Sequence, residues 1–204
     1  MELTKKNNKE KKMDLFERFP HLSRYTTDKY YDDIRISCLS MKNCATNPPT
    51  FAQFDDDGSS STGVFVNNFS VADTVYFSCQ LPHTYVEGTD IVPALYWSFT
   101  GGTTARAVKW EFEYTISNPS GTFSTNTTLT DTSHTVALAT EDGLHMRTAL
   151  DTITGTSSEI SAMILCRLTR ITNGATEYEG TVSVFEVDFH YQKNAMGSSS
   201  IYAK

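Results

Sequence analysis

Between residues 106 and 116 the sequence RAVKWEFEYTI alternates without a break: Val108, Trp110, Phe112, Tyr114 and Ile116 fall on one side, and Lys109, Glu111, Glu113 and Thr115 on the other. Side chains alternate faces along a strand, so this period of two gives one dry face and one wet face. It asks for a sheet packed on a second layer, and no 3.6-residue pattern elsewhere is long enough to supply that layer as a core helix.

Further strand signals follow at short spacing. YYDDIRIS (30–37) reads as a first strand, and GVFVNNF (63–69), DTVYFSCQLP (73–82), DIVPALYWSF (90–99), TFSTNTTLT (122–130), HTVALA (134–139), GLHMRTALDTI (143–153), EISAMILCRLTRIT (159–172) and GTVSVFEVDFHYQ (180–192) extend the series. Clusters of Gly, Asn, Asp, Ser and Pro separate them, as hairpin and sandwich loops require. The 12 Phe and 10 Tyr belong to the same strand-forming composition. The expected architecture is all-β: an antiparallel, jelly-roll-like sandwich over residues 25–204, with a flexible N-terminal arm over 1–24. Residues 38–63, with Pro48, Pro49 and a run of Asp and Ser, read as one long loop.

The arm has two parts. Lys5, Lys6, Lys9, Lys11 and Lys12 face only Glu2 and Glu10, whereas the whole chain carries a net charge of −7, so a basic arm precedes an acidic body. Leu15, Phe16 and Phe19 then form a short apolar cluster broken by Pro20, suited to docking on a particle or neighbour while the lysines reach an acidic surface. An acidic body argues against general nucleic-acid binding. No run reaches the length of a membrane span, and no signal-peptide pattern opens the chain, so no membrane partner is expected. Cys38, Cys44, Cys79 and Cys166 lack metal-ligand spacing and read as free thiols, with a local Cys38–Cys44 bridge left open.

The segment LPHTYVEGTDIVPALYWSF (81–99) holds the chemistry worth weighing. His83 and Asp90, with Asp188 and His190 from the last strand, are the candidate metal ligands, and Glu87 lies between the first two. Their spacing follows Pro82 and contains Gly88, so it reads as a turn at a strand entrance rather than a ligand signature. In VSVFEVDFHYQ, uninterrupted alternation puts Phe185, Val187, Phe189 and Tyr191 toward the core and Val182, Val184, Glu186, Asp188 and His190 on the other side. Met163 and Leu165 oppose Ile160, Ala162, Ile164, Cys166 and Leu168, so that strand is expected to be central or covered by a neighbouring subunit. Trp97, Trp110, Phe112, Met163, Leu165 and Phe189 are the core and assembly candidates. Tyr85 and Trp97 are also aromatic groups of the kind that stack on sugars, although Trp97 lies within a strand pattern. No nucleophile elbow, phosphate loop or dinucleotide glycine pattern is present, and the chain is expected to be non-enzymatic, with no cofactor.

YYDDIRIS, LPHTYVEGTDIVPALYWSF, VKWEFEYTISN, SAMILCRLTRI and FEVDFHYQKNAMGSSSIYAK resemble, over residues 30–204, a family of small phage and virus structural proteins. Its members share a jelly-roll-like β-domain and an LPHxxxEGTDIxPxxxW block, and serve as head decoration, spike or fibre proteins. The resemblance implies a virion protein assembled in the host cytoplasm: a homo-oligomer, a trimer by expectation, docked on other capsid proteins as a decoration, cement or spike subunit. Where the family pattern carries two histidines after the proline, this chain has Ala94 and Tyr96, which removes potential ligands. One alternative is a receptor-binding fibre tip whose loops 45–62 and 117–133 recognise host glycan. A lower alternative is a metal-dependent hydrolase built on His83, Asp90, Asp188 and His190.

Overall fold

The computed structural model describes residues 30–54, 64–100, 106–130, 134–136 and 143–193. The anchoring candidates Lys5, Lys6, Lys9, Lys11, Lys12, Leu15, Phe16 and Phe19 lie outside the described residues. The strands are β1 (Tyr30–Ser37), β2 (Lys42–Asn43), β3 (Thr50–Gln53), β4 (Phe65–Phe69), β5 (Thr74–Gln80), β6 (Ile91–Phe99), β7 (Arg106–Ser117), β8 (Thr127–Thr130), β9 (His134–Val136), β10 (Met146–Ala149), β11 (Met163–Ile171) and β12 (Val182–Lys193). All named pairings are antiparallel. One sheet runs β10-β6-β12-β4-β3, with β1 also on β12, and the other runs β2-β5-β11-β7-β8, with β9 also on β7. The result is the expected jelly-roll-like β-sandwich. Among the described residues no helix is long and apolar enough to cross a membrane.

Aromatic rings join the layers. Trp110 of β7 meets Phe69 of β4 at 5.6 Å and Trp97 of β6 at 6.4 Å, and Phe112 meets Phe189 of β12 at 6.1 Å. All five side chains are fully buried, and ring pairs at these separations add to the burial of their area. The inward set of β7 is the one its alternation predicts: Val108, Trp110, Phe112 and Tyr114 are buried and Ile116 packs against them.

Three sequence expectations need correction. Residues 38–63 are not a single loop: a 3-10 turn at Cys38–Ser40 and strands β2 and β3 occupy the described part of it. These are short edge strands flanked by Pro48 and Pro49, so no alternating run announces them. The alternation of β12 is broken by a bulge between Val184 and Glu186. Val182 and Val184 therefore point inward with Val187, Phe189 and Tyr191, while Phe185 lies across the bulge and packs its ring against Phe54 and His145. Finally, β11 is central, between β5 and β7, but Met163 and Leu165 are not core residues. They project from its outer face, and Leu165 is 42% exposed.

All four cysteines are free, so Cys38 and Cys44 are not bridged. Burial pushes the thiol of Cys79 up to about 12 and raises those of Cys38 and Cys166. Cys44 differs: a hydrogen bond with the Thr46 hydroxyl, backbone N–H groups of Thr46 and Asn47, and the Tyr76 hydroxyl lower it to about 6. The thiolate is the nucleophile. At neutral pH iodoacetamide should therefore alkylate Cys44 first, with a rate that halves near pH 6, while the other three react only on unfolding. Peptide mass mapping of a timed reaction checks this, and labelling of Cys79 at the same rate would refute it.

Candidate functional site

The corner at residues 81–90 is built from its own turn chemistry. Gly88 takes φ = +79°, a conformation that suits glycine. The Thr89 hydroxyl donates to the Val86 carbonyl at 2.7 Å, and the buried Tyr85 hydroxyl donates to the Thr89 carbonyl. The two carboxylates then reach across to another segment. Glu87 Oε1 accepts the Ile160 N–H at 3.0 Å, and Asp90 Oδ1 accepts the Gly155 N–H at 3.1 Å. They clamp the loop 153–162 against the corner instead of converging with His83. Tyr85 and Trp97 are both fully buried, which corrects their candidacy as sugar-stacking groups.

The clamped loop forms one wall of an open cleft of about 580 Å³ at the end of the second sheet. Its floor is a row of three residues in register, Gln80 of β5, Met163 of β11 and Ser117 of β7. The other wall is the turn 118–121, closed by Gly121 N–H to the Asn118 carbonyl at 2.9 Å, with Ser120 at φ = +65°. Asn118 ties this turn to the clamped loop, donating to the Ser157 carbonyl at 2.8 Å and accepting from the Glu159 N–H at 3.1 Å. His83 sits at the rim with Nε2 at 3.3 Å from the Ser161 hydroxyl, and Gln80 donates to the Ser161 carbonyl at 3.3 Å. Phe123 lines the cleft and is 43% exposed. A second hollow of about 230 Å³ shares Ser117, Asn118 and Gly121 and continues across the turn.

From the cleft, the outer face of the second sheet carries Leu165 and then Arg167, whose register partner on β5 is the exposed Tyr76. Arg167 bridges Glu111 at 3.1 Å and Glu113 at 2.6 Å, partly exposed pairs on the sheet surface.

On the opposite sheet, Asp188 and His190 point outward from β12, with Asp33 of β1 in register with His190. One atom from each of these three lies within 4.8 Å of the others. The sequence-based set is therefore split. Asp188 and His190 are together, but their third partner is Asp33, and neither His83 nor Asp90 belongs to the group. Asp33 gave no sequence signal because it meets His190 across 157 residues of chain.

No family model and no curated protein matches this chain. Among solved structures it is similar to a xylan-binding CBM22-1 domain of Paenibacillus barcinonensis Xyn10C, at 10% identity and TM-score 0.44, covering 82% of this chain and 99% of that one. It is similar also to a family 35 carbohydrate-binding module of Clostridium thermocellum, at 11% identity and TM-score 0.40 over 76% and 97% of the two chains. A third is the CBM35 of Cellvibrio japonicus Abf62, at 11% identity and TM-score 0.39 over 80% and 99%. At such identity no residue role carries across. These neighbours are carbohydrate-binding modules, and the expectation of a capsid decoration, cement or spike subunit is corrected here and not taken further.

Proposed function

We propose that this chain is a non-catalytic glycan-binding module, and that the cleft between the turn 118–121 and the loop 153–162 takes a stretch of carbohydrate. The observation that carries this reading is the cleft's lining: the neutral donors and acceptors of Gln80, Ser117, Asn118, Ser120 and Ser161 surround the exposed ring of Phe123 and the thioether of Met163. A sugar presents hydroxyls at its edge and C–H groups on its face, so it needs neutral hydrogen-bonding groups beside an apolar plate. No Asp, Glu, Lys or Arg is among the described lining residues, which favours an uncharged ligand. His83 at the rim presents its Nε2 to the Ser161 hydroxyl, a neutral pair in keeping with the rest of the lining. The outer face toward Leu165 and Tyr76 offers a path for a longer chain. Gln80 to Tyr76 is about 13 Å along the strand.

An array of neutral and acidic oligosaccharides, followed by calorimetric titration of the strongest ligand, tests the proposal. The wild-type protein should retain neutral oligosaccharides. Phe123→Ala should weaken binding about tenfold, in keeping with the loss of a stacking ring, and leave the thermal midpoint unchanged because Phe123 is outside the core. Retention of no glycan by the wild type, or unchanged affinity in Phe123→Ala, would overturn it.

A further inference from the structure

We propose that Asp33, Asp188 and His190 form a binding site for one divalent transition-metal ion of the zinc or manganese class, on the sheet opposite the cleft. The fold brings the set together. Asp188 and His190 are two residues apart on β12 and so share a face, and Asp33 is the register partner of His190 on β1. The three offer two carboxylate oxygens and an imidazole nitrogen within 4.8 Å of one another.

The second observation is what is left unpaired there. Asp188 is 1% exposed, yet neither carboxylate oxygen has a hydrogen-bond partner. His190 donates from Nδ1 to Asp33 Oδ1, and its Nε2 is buried without a hydrogen-bond partner. An unpaired buried carboxylate is among the most costly groups a fold can hold, and such groups are normally paired or bound to metal. The available cations do not supply the pairing. Arg35 stands opposite Asp188 in the β1–β12 register but makes no ion pair with it, and Glu186 adds a further negative charge nearby. A dication would neutralise Asp33 and Asp188 together and engage the Asp188 lone pairs, which have no hydrogen-bond partner.

The donor set also selects the ion. Calcium and magnesium take all-oxygen shells, with six or more ligands for calcium. A shell containing imidazole suits zinc or manganese, with water completing the coordination.

The test uses the full chain without a polyhistidine tag, stripped with chelator and titrated calorimetrically with Zn²⁺, Mn²⁺ and Ca²⁺ in turn. One equivalent of Zn²⁺ or Mn²⁺ should bind and raise the thermal midpoint. Asp188→Asn and His190→Gln, both close in shape to the native residues, should each lower the affinity at least about tenfold. Cys44→Ser should bind as the wild type does. Absence of saturable Zn²⁺ and Mn²⁺ binding, binding of Ca²⁺ alone, or unchanged affinity in both variants would each overturn the proposal, and the first two require no variant to fold.

Discussion

Arg170→Ala is expected to cost about 3–5 kcal/mol of folding stability, the range for removing one partner of a buried ion pair. Arg170 is fully buried, on the inward face of β11 behind Leu168. Its Nη1 donates to the Phe69 carbonyl at 2.7 Å and the Gly180 carbonyl at 2.6 Å, and its Nη2 donates to Glu177 Oε1 at 2.8 Å and to the Tyr178 carbonyl. One guanidinium thus fastens the end of β4 and the 173–180 loop to the central strand. Desolvation lowers its pKa, and Glu177 counters that shift. Alanine would remove the donor to Glu177 Oε1 and to the carbonyls of Phe69, Tyr178 and Gly180, leaving Glu177 with only the Asn173 N–H on Oε2. A urea midpoint measures the loss. Combining Arg170→Met with Glu177→Gln should recover part of it, since the buried charge is then gone from both sides. A loss below about 1 kcal/mol for Arg170→Ala would mean that this network contributes little beyond its packing.

Gly155→Ala should be comparably damaging, at about 3 kcal/mol, the upper part of the range for forcing atoms into a packed site. A Cβ on residue 155 would stand 1.7 Å from the Thr89 carbonyl oxygen and 2.7 Å from the Tyr85 hydroxyl. The first of these is backbone and cannot swing aside. The loop would have to move away from the corner, breaking the bond from Gly155 N–H to Asp90 and disturbing the one from Tyr85 to Thr89. Because the same loop carries Ser161 into the cleft, ligand retention should fall along with stability. Denaturation and titration on one sample separate this outcome from Phe123→Ala, which should lose binding alone. A Gly155→Ala protein as stable as the wild type would show that the corner and loop are not rigidly joined.

Legibility in the sequence followed the reach of each interaction. The strand β7 was readable throughout because its alternation has no interruption, and the Glu87–Gly88–Thr89–Asp90 corner was readable as a turn because glycine and the short polar groups act on nearby backbone. What Glu87 and Asp90 hold was not readable, since Ile160 and Gly155 are 73 and 65 residues away. The same distance effect hid Asp33 from His190. Arg170 is a different case. It keeps the inward phase of Ile164, Cys166 and Leu168, but arginine is so seldom buried that the phase alone does not suggest it. Phe123 was read inside a strand over 122–130, whereas β8 begins at Thr127 and leaves the ring in the loop that lines the cleft.

The pairing of Tyr30 with Lys193 brings the start of β1 and the end of β12 side by side. The exposed Lys193 ammonium and Asp32 carboxylate meet at 2.8 Å beside that pair. A domain whose entry and exit points are neighbours can be spliced into a surface loop of another protein without stretching its host. It can equally be cut elsewhere and rejoined through a short linker between these two points. The β-sandwich is in this sense a cassette whose first and last strands, β1 and β12, end side by side on the sheet that carries Asp33, Asp188 and His190.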